Sequence, residues 1–151
     1  MRQAASTNER GGTSRRAGSV ATGGLTIERI VAVDTKREFR VHPRDRSIAY
    51  TDEGAGARQM YVLSLRTSVT TQVTASEKNI ADPQWSPDGR RLAFTRGDEI
   101  RVVDLDGSRD VLVAGHPAGV SAPRWSPDGQ RIAFISRRRG WAQVHLVDAP
   151  V

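Results

Sequence analysis

Residues 85–89 of the chain have the sequence WSPDG, and residues 125–129 repeat the same five letters. Nearly the same run follows each copy, RRLAFTRG after the first and QRIAFISR after the second. In SPDG, the proline presets the backbone angle at the second turn position, the aspartate can bond its own backbone, and the glycine accepts a left-handed conformation. Because β-rich runs flank the turn, the pattern predicts a hairpin with a short Gly-containing loop.

The turn belongs to a longer internal repeat with a period of about 40 residues. Beyond the turn, IRVVDLDG at 100–107 aligns with VHLVDAP at 144–150. An eroded copy lies upstream, where VHPRDRSIAY at 41–50 aligns with WSPDGRRLAF at 85–94 and Val41 replaces the tryptophan. The residues shared by the two clearer copies are Trp85, Gly89, Leu92, Ala93 and Phe94, which match Trp125, Gly129, Ile132, Ala133 and Phe134.

Side-chain size alternates along the strand that follows each turn. Leu92 and Phe94 fall on one face of a strand, and Ala93 and Thr95 fall on the other. The same alternation of large and small residues occurs at 48–50 and 132–134. A sheet with one bulky and one shallow face can stack on a copy of itself, so we expect the bulky face of one unit to fill the shallow face of the next.

Each full unit contains four predicted strands, and four short antiparallel strands repeated at this period are typical of a β-propeller blade. We therefore predict an all-β fold, a partial β-propeller of about three four-stranded antiparallel blades at 39–76, 77–116 and 117–151. The last blade is expected to be incomplete, because no fourth strand follows its predicted third strand. Two and three-quarter blades leave open sheet faces, so we expect the chain to be a fragment. The predicted strands of the middle unit are Asp82–Trp85, Arg90–Thr95, Glu99–Asp104 and Asp110–Val113, and those of the last are Ala122–Trp125, Arg131–Ser136 and Gln143–Asp148.

Two segments precede the predicted blades. Residues 1–24 are rich in Gly, Ser, Thr, Ala and Arg, carry half of the formal net charge of +6, and are predicted to be a disordered basic leader. Residues 25–38 form a lead-in segment that is either a short helix, with Thr26 as its cap, or a strand. The pair Arg15–Arg16 could suggest twin-arginine export, but no apolar run follows it, so we expect a cytoplasmic protein.

Composition narrows the classes of site and partner. The chain has no cysteine, which excludes a disulfide framework and any cysteine-based metal site. No stretch reaches membrane-spanning length, so no membrane partner is expected. The basic residues of the leader are scattered without aromatic residues between them, so no nucleic-acid partner is expected either.

Several residues are candidates for functional groups. Trp85 and Trp125 could be stacking platforms, but their repetition favours packing between blades. Asp88, Asp106 and Asp128 could bind calcium, but their spacing does not match a calcium loop and favours turn chemistry. The sequence assembles no catalytic, metal or cofactor site. The three histidines lie in different units and suggest neither a metal cluster nor a catalytic triad: His42, His116 and His145.

One candidate binding loop stands out, formed by Arg137, Arg138, Arg139 and Trp141. In a propeller these residues fall on a loop between strands, where binding groups are often located. Arginine forks at such a place could hold a carboxylate, an acidic peptide end or a phosphate. The alternative is a solvated loop, because a charge run by itself carries little information.

The runs PQWSPDGRRLAF…VVDLDG and PRWSPDGQRIAF…HLVD resemble the WD-like repeats of TolB and of the noncatalytic propeller in prolyl oligopeptidase-family serine peptidases. The resemblance covers about residues 39–151. The run ISRRRGWAQVHLVD and the early start of the blades are more similar to the peptidase group. That resemblance implies a propeller that gates substrates and positions peptides, partnered by a downstream α/β-hydrolase domain. The alternative is a TolB-like scaffold that binds protein partners.

The resemblance assigns no catalytic residue of the peptidase family to a position in this sequence. The serine nucleophile of the peptidase family lies in a Gly-x-Ser-x-Gly elbow of the hydrolase domain. No such pentapeptide occurs in this sequence. Whether the chain is part of an enzyme is therefore left open by its residues.

Overall fold

The computed structural model describes residues 35–54, 56–137 and 140–151. Eleven strands occupy these residues, and tight turns join most of them. Residues 1–34, which include the predicted leader, Thr26 and most of the lead-in segment, lie outside the described part. The strands are β1 Lys36–Val41, β2 Ser47–Asp52, β3 Gln59–Ser64, β4 Thr70–Gln72, β5 Ile80–Trp85, β6 Arg91–Arg96, β7 Glu99–Asp104, β8 Asp110–Gly115, β9 Val120–Trp125, β10 Arg131–Ser136 and β11 Gln143–Asp148.

The strands form three antiparallel sheets, each built from consecutive strands. The first sheet has the order β1-β2-β3-β4, the second has the order β5-β6-β7-β8, and the third contains β9, β10 and β11 with β10 in the middle. The fold is therefore an all-β partial propeller, which confirms the predicted class. Strand β1 begins at Lys36, inside the segment 25–38 that is predicted to precede the blades.

The repeated SPDG turn owes its shape to hydrogen bonds inside the pentapeptide. The Gly89 backbone N–H donates to the Ser86 carbonyl at 2.9 Å, and Gly89 has a φ of +76°. The Ser86 hydroxyl donates to the Asp88 carboxylate at 2.6 Å and accepts the Arg91 N–H at 3.0 Å. Residues 126–131 repeat this arrangement. Only glycine adopts this backbone angle without strain, which explains why the turn keeps it.

The hydrophobic core lies between the sheets, as the size alternation predicts. One buried cluster joins Ala49 of the first sheet to Leu92 and Phe94 of the second. The other joins Ala93 of the second sheet to Ile132 and Phe134 of the third. In both clusters the small residue of one sheet faces the large residues of the next. This repetition of one contact sets the order in which the sheets stack.

The first strand of every sheet has a bulge at the same repeat position. Glu38, Asp82 and Ala122 have φ values of 56°, 54° and 54°, and the strand pairing shifts register beside each of them. Each lies three residues before Val41, Trp85 or Trp125. A bulge turns side chains that a regular strand would direct elsewhere. The bulge residues themselves make polar contacts between sheets.

Candidate interaction surface

The two repeated tryptophans pack between sheets, which confirms the packing interpretation. The Trp85 indole N–H donates to the carbonyl of Arg40 in the preceding sheet at 2.9 Å. The Trp125 indole N–H donates to the carbonyl of Gln84 at 3.2 Å. The Arg91 guanidinium lies over the Trp125 ring, 5.0 Å from its centroid. Each tryptophan therefore packs against a neighbouring sheet and does not serve as a stacking platform for a ligand.

A second set of bonds between sheets runs through the bulges. The Asp82 backbone N–H donates to the Glu38 carboxylate at 3.2 Å, and the Ala122 N–H donates to the Asp82 carboxylate at 3.1 Å. The Thr51 hydroxyl also donates to Glu38, at 3.0 Å. Sequence reasoning missed this carboxylate ladder. The available signal was an acidic residue three positions before the tryptophan position in the first two units.

His42 links the turns of the first and second sheets. Its Nδ1 accepts the backbone N–H groups of Arg44 and Asp45 at 3.0 and 2.7 Å, so its proton lies on Nε2. That Nε2–H donates to the Gly89 carbonyl at 3.0 Å, and the ring lies edge-on to Trp85 with centroids 4.5 Å apart. The sequence did not indicate this contact of His42 with the next sheet, which requires the tertiary structure.

The turn aspartates act within their own turns. The hydrogen bond from the Ser86 hydroxyl, followed by the one from the Arg90 N–H, lowers the pKa of Asp88. The corresponding bonds from Ser126 and Gln130 lower the pKa of Asp128. Asp106 accepts the hydroxyl and the N–H of Ser108 in the same way. Among the described residues, no group of three or more His, Asp or Glu side chains is placed to hold a metal ion.

One Ser–His pair occurs in the third sheet. The Ser136 hydroxyl and the His145 Nε2 are 3.1 Å apart, on neighbouring strands. Ser136 is buried, and the His145 ring stacks on Phe134 at 5.4 Å. A nucleophilic serine needs access to its substrate and a third group that orients its base. Within the described residues no carboxylate bonds to His145, so the pair is a packing contact.

The third sheet carries an exposed apolar surface, which we name the trailing face. It is formed by Ala133, Ile135, Val144 and Leu146, since Ala133 pairs with Leu146 and Ile135 pairs with Val144 across the sheet. Val144 and Leu146 are 77% and 57% exposed. The corresponding residues of the second sheet, Ile100 and Val102, are 0% and 2% exposed, because the third sheet covers them. Nothing in the described residues covers the trailing face in the same way.

The first sheet presents the opposite kind of surface, which we name the leading face. It carries Val41, Ile48, Tyr50 and Tyr61, and it corresponds to the bulky faces that are buried in the other two sheets. Tyr50 stacks on Tyr61 with centroids 5.6 Å apart, and it is buried. Val41, at the position of the tryptophans, is 74% exposed.

The predicted binding loop lies between β10 and β11. Arg137 is exposed and its backbone N–H donates to the Gly119 carbonyl at 3.3 Å. Trp141 is exposed as well, two residues before β11. Arg138 and Arg139 lie outside the described residues, so a guanidinium cluster at this loop stays a prediction. Trp141 adds an aromatic side chain close in sequence to the strand that carries Val144 and Leu146.

An open cleft of about 670 Å³ lies beside the turn at 126–130. The guanidinium of Arg91 reaches into it, but this group donates to the Pro150 carbonyl and packs on Trp125. The cleft is also lined by the polar residues Gln130, Arg131 and Asp148, and it is open to solvent. In the part of the chain that the structure describes, no helix is long and apolar enough to cross a membrane. The exposed sheet face is the stronger candidate for a binding surface.

Comparisons with known proteins agree with this architecture. A family model described as TolB β-propeller domain matches residues 37–150. No curated protein matches the chain at the level of significance required. Among solved structures, TolB from Acinetobacter baumannii is similar with 24% identity and a TM-score of 0.66, over 76% of this chain and 30% of that one. A TolB candidate from Agrobacterium tumefaciens has 25% identity and a TM-score of 0.65, over 73% of this chain and 44% of that one.

A peptidase has the same fold over the matched region. The puromycin-hydrolyzing peptidase of Mycobacterium tuberculosis is similar with 22% identity and a TM-score of 0.62, over 76% of this chain and 20% of that one. The chain thus spans less than half the length of each of these three proteins. At such identities the likeness establishes the shared propeller fold.

Proposed function

The chain belongs to the TolB β-propeller domain family, and we propose that it is a noncatalytic module that binds proteins or peptides through its trailing face. The observation that carries the proposal is the exposure of Val144 and Leu146, at positions that are buried in the second sheet. An apolar strip of this kind on a sheet marks a surface where another chain packs. Trp141, exposed on the adjoining loop, is the residue type that most often anchors such contacts.

The sheet edge supports the same proposal. Strand β11 is the last strand of the third sheet and pairs on only one side within the described residues. Its free edge presents backbone N–H and C=O groups that an extended segment of a partner can bind. The apolar strip and the strand edge together favour a protein or peptide partner over a small polar ligand.

The proposed function can be tested with a photo-reactive amino acid at position 144, introduced in the organism that makes the protein. We expect irradiation to give adducts at position 144 whose partner is identified by mass spectrometry. The matched control is position 112, because Leu112 is apolar and 53% exposed on the outer strand of the second sheet. Equal labelling at both positions, or none at position 144, would contradict the proposal.

A second candidate is the role implied by the peptidase resemblance, in which the propeller gates substrates for a serine peptidase. The run ISRRRGWAQVHLVD and the fold shared with the puromycin-hydrolyzing peptidase favour it. In this case the partner is an α/β-hydrolase domain beyond residues 1–151, and Arg137, Arg138 and Arg139 would orient the acidic end of a peptide.

Both candidates make one shared prediction, and two further measurements separate them. The chain by itself should not cleave peptide anilides, and turnover that survives repurification would contradict both proposals. Adducts at position 144 to a hydrolase domain would support the gating role, and adducts to a protein without one would support the scaffold. Replacing all three loop arginines with alanine should weaken binding of an acidic peptide only under the gating role.

We also propose a cytoplasmic location, since no apolar run follows Arg15–Arg16 and the chain contains no cysteine. Cell fractionation followed by immunoblotting would test this. Recovery of the protein in a periplasmic or secreted fraction would show that the location is wrong.

A further inference from the structure

We propose that His42 is an acid-sensitive latch between the first and second sheets. Its neutral ring fastens the two sheets to each other, and uptake of a proton loosens their junction. The proposal goes beyond the proposed function and does not depend on the trailing face. It rests on contacts among residues 42–47 and 85–91, all of which the structure describes.

Both nitrogens of the His42 ring are engaged in ways that require the neutral form. Nδ1 accepts the backbone N–H groups of Arg44 and Asp45 at 3.0 and 2.7 Å, so it carries no proton. Nε2 carries the one ring proton and donates it to the Gly89 carbonyl of the second sheet at 3.0 Å. A protonated ring carries a hydrogen on Nδ1 as well, and this hydrogen would point at two other donors.

A small shift of the ring does not relieve that conflict. The ring packs directly on the backbone at Gly89, where a Cβ would lie 2.2 Å from Nε2, and it meets Trp85 edge-on with centroids 4.5 Å apart. Because the two nitrogens belong to one rigid ring, turning Nδ1 away from its two donors also moves Nε2 away from Gly89. Protonation therefore weakens the turn and the contact between the sheets together.

The charged groups around the ring do not favour a cation. Asp45 uses its carboxylate to accept a backbone N–H at 2.7 Å and lies 3.5 Å from the Arg66 guanidinium, and Asp88 is bonded within its own turn. Among the described residues, neither carboxylate bonds to the ring. Trp85 would attract a cation, but this is one contact against the two bonds lost at Nδ1. The turns that hold the ring and the strand ends beside them carry more arginines than acids: Arg40, Arg44, Arg46, Arg90 and Arg91 against Asp45 and Asp88.

The direction of the effect follows from these contacts. Histidine is the side chain that ordinarily changes its charge between pH 5 and 8. An open junction leaves the ring free to take up a proton, whereas the closed junction requires it neutral. The contact is therefore complete at neutral and basic pH and weakens as the pH falls.

The junction between the second and third sheets has no such group and serves as an internal control. Ser86 and Ser126 occupy the position of His42 in the other two turns. At the second junction the neighbour of Gly129 is Pro87, whose ring carbon would lie 3.6 Å from a Cβ at that glycine. Proline has no side-chain proton to gain or lose. The two junctions thus repeat one packing pattern and differ in one titratable side chain.

The test compares how often the two junctions open as the pH falls. The chain has no cysteine, so one can be introduced as Ala49→Cys in the first junction or as Ala93→Cys in the second, where both alanines are fully buried. The rate at which each thiol reacts with dithiodipyridine reports the opening of its junction. Dividing the Ala49→Cys rate by the Ala93→Cys rate cancels the effects of pH on the thiol and on unfolding of the whole chain. We expect this ratio to rise about tenfold or more between pH 7 and pH 5, since one linked proton changes an equilibrium up to tenfold per pH unit.

His42→Asn assigns the effect to the ring. Asparagine offers a side-chain oxygen to the turn N–H groups but does not titrate, so the ratio should be the same at pH 7 and pH 5. His116→Asn is the matched control and should keep the full rise, because His116 also accepts a turn N–H, from Ala118 at 3.1 Å, without reaching another sheet. His42→Ser, which copies the turn at Ser86, is a second variant with the same expected result. Circular dichroism checks that each variant folds.

Three results would overturn the latch. The first is a ratio that stays constant between pH 7 and pH 5 in the chain with its histidines intact. The second is a rise that persists in both His42→Asn and His42→Ser, because another group would then cause it. The third is a rise that disappears in His116→Asn, which would assign the effect to that histidine. None of these results bears on photo-crosslinking at position 144, so the proposed function is tested separately.

Discussion

The second and third sheets have nearly the same sequence pattern but different surroundings. Ile100 and Val102 on β7 are buried by the third sheet, whereas their counterparts Val144 and Leu146 on β11 are exposed. Strand β7 pairs with β6 in the same register as β11 pairs with β10. The difference in exposure therefore comes from the neighbouring sheet. In this architecture the shallow face of a sheet is buried only where a further sheet packs on it.

This comparison predicts unequal effects of the same truncation. Ile100→Ala should lower the free energy of unfolding by about 2–5 kcal/mol, because it leaves a cavity between the second and third sheets. Val144→Ala should change it by less than about 0.5 kcal/mol, because its side chain is exposed. Urea denaturation measures both. Equal losses at the two positions would show that the trailing face is covered within the chain.

The two SPDG turns offer a second comparison. A Cβ at Gly89 would lie 2.2 Å from the His42 Nε2, whereas a Cβ at Gly129 would lie 3.6 Å from Pro87. Both glycines have positive φ, so alanine at either costs about 1–2 kcal/mol. Gly89→Ala should cost at least about 1 kcal/mol more, since it also displaces His42. Urea denaturation of His42→Ala with and without Gly89→Ala would show whether the excess disappears once the ring is removed.

Removing a tryptophan hydrogen bond should have a smaller effect on the free energy of unfolding. Trp85→Phe keeps an aromatic ring but removes the indole N–H that bonds to the Arg40 carbonyl. We expect a loss of about 1–2 kcal/mol in the free energy of unfolding. Trp141→Phe, at an exposed position, is the control and should have almost no effect. A similar loss in both variants would mean that the bond to the preceding sheet contributes little.

The smallest effect is a dependence of stability on pH. Hydrogen bonds from Ser86 and Arg90 hold the pKa of Asp88 below its ordinary value. Its contribution is therefore complete above about pH 4 and is lost as the pH falls through the lowered pKa. Asp88→Asn should flatten the fall in stability below about pH 4. Thermal unfolding measured across pH 2–6 tests this, and an unchanged profile would count against the turn's contribution.

Much of the fold could be predicted from particular residues. The spacing of Trp85 and Trp125 indicated the repeat, and the SPDG letters indicated the hairpin, because their conformational preferences act within a few residues. The alternation at Leu92, Ala93 and Phe94 predicted how the sheets nest, since every sheet uses the same faces. The predicted strands of the middle and last units begin and end within about two residues of the observed strands.

The candidate site was predicted less completely. The loop at Arg137 and Trp141 lies between strands as expected. Open sheet faces were expected as well, but Val144 and Leu146 were not identified as the residues of an exposed strip. In the sequence these residues have the same apolar alternation as the residues of a buried strand. The carboxylate ladder and the contact of His42 with Gly89 were missed as well, because each joins residues 40 or more positions apart.

The sequence by itself determined the unit of this protein: a four-stranded sheet with a tight turn, one bulky face and one shallow face. These properties depend on local backbone preferences and on the period of two along a strand. Only the tertiary structure decided which of the faces are buried. It also decided which carbonyl accepts the hydrogen bond of each indole N–H and which carboxylate accepts that of each bulge N–H. Burial depends on the neighbouring sheet, because apolar residues at equivalent repeat positions are buried in the second sheet and exposed in the third.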